Sequence, residues 1–199
     1  MAEWFEIGYT ETIDDHLRKI AAITEQATKF WAHSHGWAPK EAAEILSKSR
    51  LDWLASFSRT LRARVEEVQA HPNEPAVLIL AWAHLGTLVE GTLKLFLCVY
   101  LHDYLKDANA PVCKKGAPIP PNTLKFEGIK QFLQKGDILA AHHDFIEETQ
   151  ARRNAIHAFA DKPIGTVDEY FSAIRRYREL LTSIETSLPY PYSYDDWSY

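Results

Sequence analysis

Residues 76–106 constrain this chain more than any other stretch. Val77, Leu78, Ile79, Leu80, Trp82, Leu85, Leu88, Val89, Leu93, Leu95, Phe96 and Leu97 leave almost no polar side on a helical wheel. A helix that is apolar around most of its circumference is stable only where other elements cover it, so it belongs at the centre of a bundle. Its apolar runs stop short of the roughly 18 residues that a membrane span requires. Glu90 interrupts it in Leu88-Val89-Glu90-Gly91-Thr92-Leu93-Lys94, and a carboxylate in such a setting demands a cationic partner.

The rest of the chain supplies helices to cover it. Ile13, Leu17, Ile20, Ile23, Ala27 and Phe30 recur at three- and four-residue steps within 10–35, and Ala43, Leu46, Leu51, Leu54, Phe57, Leu61, Val65 and Val68 do so within 39–71. Shorter patterns predict helices over 124–135, over 137–160 with Asp137 as N-cap, and over 167–188 beginning at Thr166 or Asp168. The breaks carry turn chemistry: His33-Ser34-His35-Gly36, His71-Pro72-Asn73-Glu74-Pro75, a Pro-rich loop over 107–123, and Lys162-Pro163-Ile164-Gly165-Thr166. No strand-like alternation persists and no repeat occurs, so the expectation is an all-α fold, one bundle of five to six helices in a single domain. An aromatic tail, 189–199, carries Tyr190, Tyr192, Tyr194, Trp197 and Tyr199 and is expected to dock on its own domain or on a partner.

Charge narrows the function classes. With a net charge of −5, the chain is not a nucleic-acid binder that works by bulk electrostatics, because such domains are basic; any RNA contact must be local. Arg59, Arg62 and Arg64 form one basic patch, Arg175, Arg176 and Arg178 a second, and Lys114 and Lys115 stand in the Pro-rich loop. Arg59, Arg62 and Arg64 read first as a solvated face and second as an RNA contact, Arg175, Arg176 and Arg178 as an exposed face, and Lys114 and Lys115 as solvated or as contacts to substrate or a partner chain. Cys98 and Cys113 lack paired metal spacing and read as reduced thiols. The N-terminus has no signal-like apolar core, so a cytoplasmic protein without membrane attachment is expected. His33 with His35, and His142-His143-Asp144, diverge too far around a helix to hold one ion, and no metal or cofactor is expected. His84 reads as a core or surface histidine.

The chemistry-bearing stretch is Gln150-Ala151-Arg152-Arg153-Asn154-Ala155-Ile156-His157-Ala158-Phe159. On a continuous helix, Arg153 and His157 lie about 40° apart and Arg152 and His157 about 140° apart. Arg152 then shares the core-facing side with Phe145, Ile156 and Phe159, while Arg153 and His157 share its border with Ile146. Arg152 is therefore the expected partner of Glu90. Two readings stand: a surface arginine beside a half-buried, hydrogen-bonded histidine, or a set built to handle a phosphodiester.

An arginine followed after four intervening residues by a histidine, with an asparagine nearby, late in a helix of an all-helical protein, resembles the signature of the HEPN superfamily. Arg152 and His157 have that spacing. In many members the asparagine directly follows the motif arginine, whereas here Arg153 intervenes before Asn154, so either arginine could be the functional one. Glu90 resembles an acidic residue that members often carry in the helix before the motif helix. The resemblance spans 76–188 and implies a metal-independent endoribonuclease, akin to toxin and phage-defence nucleases. It implies further that two copies form a homodimer in which Arg152, Arg153, Asn154 and His157 of both chains face one cleft on an RNA substrate. An antitoxin or regulatory protein would be a further partner. A histidine titrating near neutrality suits proton transfer and a guanidinium suits the phosphate oxygens. The alternative is a non-catalytic HEPN-like module that binds nucleotide, RNA or protein and keeps the motif for structure.

Overall fold

The computed structural model describes residues 11–157 and 162–191, and among these the chain is all-helical. Its helices are α1 (Ile13–Trp31), α2 (Lys40–Lys48), α3 (Leu51–Ala70), α4 (Pro75–Val99), α5 (Leu101–Lys106), α6 (Phe126–Lys135), α7 (His143–Arg153) and α8 (Val167–Ser187). α4 is the axis that the sequence demanded. Trp82, Leu85, Leu88, Val89 and Leu93 are fully buried, with α2, α3, α7 and α8 packed against the helix. The Tyr177 hydroxyl hydrogen bonds with that of Thr92 at 2.9 Å, which satisfies two polar groups inside the core. Contrary to expectation, α4 is long and apolar enough to cross a membrane by length and composition; half of that window is buried by the neighbouring helices.

Two helices begin with capping boxes. The Thr12 hydroxyl accepts from Asp15 N–H while the Asp15 carboxylate accepts from Thr12 N–H, and Thr166 and Glu169 repeat the arrangement at α8. Each box satisfies donors that the first helical turn leaves open.

The expected helix over 39–71 is two helices. Ser49 is extended, with φ −78° and ψ 145°, and its hydroxyl donates to the Ile45 carbonyl at 2.8 Å. A serine that bonds backward in this way competes with helix continuation, and the break lets α2 and α3 each pack on α4. The helix expected over 76–106 divides at Tyr100, whose ring sits edge-on to Phe96 and whose hydroxyl donates to the Ser187 carbonyl. The Pro-rich loop is more regular than its composition suggested. Val112 and Pro118 form an antiparallel bridge around Gly116, at φ +79°, and Pro121–Thr123 makes a 3-10 turn.

The largest departure lies in 137–160. Asp137 is not an N-cap: it and Leu139 have φ of +52° and +56°, so the chain turns sharply there. A 3-10 turn over Ala140–His142 follows, and the α-helix begins only at His143. At its other end the helix tightens into a second 3-10 turn, Asn154–Ile156, and His157 has left helical geometry. The expected helix end at Ala160 lies outside the described residues.

The beginning of the aromatic tail docks on its own chain. Tyr190 packs edge-on to Phe30 at 5.1 Å and donates to the Glu185 carboxylate at 2.9 Å, and the Trp37 indole donates to the Pro189 carbonyl at 3.2 Å. Tyr192, Tyr194, Trp197 and Tyr199 lie outside the described residues.

Candidate functional site at the end of α7

The last turn of α7 presents two consecutive arginines to two different neighbours. Arg153 lies against α4. Its aliphatic stem packs where Gly86 has no side chain, and a Cβ at Gly86 would sit 2.7–2.9 Å from Arg153 Cδ, Cβ and Cγ. From there Nη1 reaches the Glu90 carboxylate at 2.6 Å, and the other Glu90 oxygen takes Lys94 Nζ at 2.8 Å. The guanidinium also lies 5.8 Å from the Phe126 ring centroid. Glu90 therefore has two cations, which is how a carriage of charge inside an apolar helix becomes tolerable.

Arg152 turns toward α8. Its Nη2 meets Glu169 at 3.1 Å and Glu148 at 3.6 Å, and its guanidinium lies 5.6 Å from the Trp82 centroid. Nη1 of Arg152 is buried without a hydrogen-bond partner among the described residues. Gly165 makes room for it: with φ +73° the glycine occupies a backbone region that L side chains rarely adopt, and a Cβ there would collide with that nitrogen. The Thr166 backbone N–H, and then Arg152, hold the Glu169 carboxyl below the usual range. Glu148 also receives Arg176 at 2.6 Å, so one carboxylate links two arginines across α7 and α8.

The expected Arg152–Glu90 pair is thus corrected to Arg153–Glu90. Helical angles did place Arg152 deeper, and its side chain is 14% exposed against 32% for Arg153. The neighbour was wrong because the deeper flank of α7 faces the start of α8, not Glu90. Ile156, expected on the core side, is 46% exposed, because the 3-10 turn rotates it away from the α-helical register. Phe159 lies outside the described residues.

His157 is exposed, which departs from the half-buried, hydrogen-bonded histidine of the plainer reading. Among the described residues its imidazole has no hydrogen-bond partner, and only its backbone N–H is engaged, with the Asn154 carbonyl at 3.3 Å. Asn154 is half-buried and its amide likewise has no partner among the described residues. The 40° relation of His157 to Arg153 does not survive, since it presumed a continuous α-helix.

The other candidates are engaged elsewhere. Arg59 pairs with Glu25, Arg62 with Asp14 and Arg64 with Glu67. In the second patch Arg176 pairs with Glu148 and Arg178 with Glu11, leaving Arg175 exposed. Lys114 and Lys115 are exposed in their loop. His142 hydrogen bonds with Ser183 at 2.9 Å and His143 with the Ile138 carbonyl at 2.8 Å; His33 and His35 are exposed. His84 hydrogen bonds with the Phe57 carbonyl at 2.9 Å, and burial lowers its pKa below the ordinary imidazole value. Cys98 is buried, which pushes its thiol up to about 12, and Cys113 is exposed; both are free. Among the described residues no group of histidines, cysteines and carboxylates is arranged around one point as metal ligands would be.

Sequence reasoning missed Gly86, Gly165, Glu148, Glu169 and Lys94. Glu148 and Arg152 are four apart on α7, a spacing at which opposite charges meet, so this pair was legible. Glu169 was legible as the third residue of a capping box but not as a partner for Arg152. Comparison of the chain with protein-family profiles, with curated proteins and with solved structures yields no match.

Proposed function

We propose that this chain is a metal-independent endoribonuclease of the HEPN type, cytoplasmic and working as a homodimer, in a toxin or phage-defence role. The observation that carries the reading is the contrast within one short stretch: Arg152 and Arg153 are held by carboxylates at the end of α7, while His157, just past the 3-10 turn that follows, is exposed and its imidazole has no hydrogen-bond partner among the described residues. A guanidinium fixed along one edge keeps further N–H donors for a phosphate, at a low cost of ordering. Arg153 suits that role better than Arg152 because more of it reaches solvent.

In the reaction, one imidazole takes the proton of the ribose 2′-hydroxyl as the 2′-oxygen attacks phosphorus. The guanidinium neutralises the non-bridging oxygens, and a second imidazole gives a proton to the departing 5′-oxygen. The products are a 2′,3′-cyclic phosphate and a 5′-hydroxyl. One chain has a single His157, so a partner chain supplies the other, and Asn154 orients the phosphate or the imidazole. RNA cleavage in excess chelator is the test: His157→Ala should abolish it and Arg153→Ala should reduce it about 100-fold. Undiminished cleavage by His157→Ala removes the mechanism, and a monomeric mass in solution removes the two-histidine site.

A second reading, a non-catalytic module for nucleotide, RNA or a protein such as an antitoxin, draws support from the carboxylate partners that both arginines already possess. It requires that Arg153→Ala lower stability while His157→Ala changes neither stability nor activity.

A further inference from the structure

Residues of α2, the start of α3, α4 and the 3-10 turn at Pro121–Thr123 line an open pocket of about 350 Å³. That volume is at the lower end of small-molecule sites. Its wall is of two kinds. Leu46, Leu51 and Leu54 show it only the edges of core side chains, 1%, 7% and 7% exposed, whereas Lys48, Arg50 and Lys94 bring three cations, and no carboxylate is among its lining residues. Arg50 is paired with Asp52 at 2.5 Å and Lys94 with Glu90 at 2.8 Å, but Lys48 has no ionic partner among the described residues. With two of the three cations already compensated, Lys48 is the lining charge left open to a ligand, in a chain whose net charge is −5. A second groove, lined by Glu41, Glu44 and Ile45, adjoins it and shares Lys48, Ser49 and Asn122. The polarity of the cleft therefore runs from acidic at the α2 end to basic at Lys94, and an anionic head is repelled from one end and attracted to the other.

We propose that this pocket binds a small organic anion, its phosphate or carboxylate head between Lys48, Arg50 and Lys94 and its apolar body on Leu46, Leu51 and Leu54. Lys94 makes the site more than a surface feature. It shares Glu90 with Arg153, so an anion that engages Lys94 changes the charge around the carboxylate that holds Arg153. The pocket thereby communicates with the end of α7 through two ion pairs.

Titration calorimetry on the full chain tests the site with n-hexyl phosphate and heptanoate as probes, inorganic phosphate as head alone and hexanol as body alone. At least one of the two amphipathic anions should bind ten-fold or more tightly than inorganic phosphate or hexanol, and the stronger of them names the head group. Lys48→Ala, an exposed substitution that leaves the fold intact by circular dichroism, should weaken it at least ten-fold, with Lys48→Arg restoring most of the affinity. Saturation should also move the Arg153 Nε–Hε resonance. Absence of binding at millimolar probe, or equal binding by Lys48→Ala, overturns the site; binding without movement of that resonance overturns the link to Arg153. Neither measurement involves RNA, so failure here is separable from failure of the nuclease reading.

Discussion

Two seams of this bundle are laced with opposite charges, and they differ in what covers them. Along α1 and α3 the pairs are Arg59–Glu25 and Arg62–Asp14, with every side chain 42–58% exposed. Along α4, α7 and α8 the pairs are Arg153–Glu90, Arg152–Glu169 and Arg152–Glu148, and Glu90 and Arg152 are each 14% exposed. In the first seam water screens each charge whether or not its partner is present, so the pairing contributes little. In the second, taking away one partner leaves a charge with few alternatives. Identical chemistry thus decorates one side of the molecule and organises the other.

Glu90→Ala should break this contrast most visibly, because it strands both Arg153 and Lys94. We expect a loss of about 3 kcal/mol in urea unfolding, and a loss below about 1 kcal/mol would make the α4–α7 seam as solvent-screened as the other. Next in size is Gly86→Ala, where the new methyl must displace the stem of Arg153. Overpacking of about 2 kcal/mol should outweigh the roughly 1 kcal/mol gained from helix propensity. Adding Arg153→Ala removes the Cδ and Cγ contacts but keeps the Cβ contact, so it should relieve part of the overpacking and the two changes together should cost less than their sum; strict additivity would mean that the stem beyond Cβ and the glycine are not in contact.

Glu185 sharpens the comparison from another direction, since it is a half-buried carboxyl whose partner is the neutral Tyr190 hydroxyl rather than a cation. Burial raises its pKa above the ordinary carboxyl value, and the Tyr190 hydrogen bond only partly opposes this. Below the ordinary carboxyl pKa both folded and unfolded chains hold the proton and no difference arises. As pH rises toward the folded value the unfolded chain ionises first, so wild type should lose stability relative to Glu185→Gln, and the gap should level off at higher pH. Unfolding curves for both proteins from pH 4 to pH 8 check this, and a gap that widens on acidification would reverse the assignment. The smallest effect belongs to the exposed seam: Arg59→Ala and Arg62→Ala should each change stability by less than about 0.5 kcal/mol.

Much of the fold was legible. The all-round apolarity of 76–106 demanded a central helix, and α4 is buried as that demanded; the amphipathic runs supplied the helices around it. Breaks signalled by proline and glycine fell where expected, but the Ser49 break did not announce itself, because serine is tolerated within helices and only its hydrogen bond to Ile45 shows the chain turning. Asp137 is a good N-cap by type, yet it takes a left-handed turn residue's role instead. At the candidate site the cluster from Arg152 to His157 stood out by composition, and the relative depth of the arginines followed from helical angles. Apart from Glu148, four residues before Arg152 on the same helix, their partners did not, because Glu90 and Glu169 approach from other helices and the two glycines that admit the guanidinium groups carry no charge to mark them.

By itself, then, the sequence determined what acts over a few residues: helical periodicity, the Thr166–Glu169 cap, and a basic pair followed by an imidazole. Which carboxylate each arginine meets, and that His157 stands exposed beyond a tightened final turn, were decided by packing between segments 17 to 63 positions apart. Short-range backbone preferences limit the conformations of a segment, but the side chain's neighbours are set only when α4, α7 and α8 exclude water together.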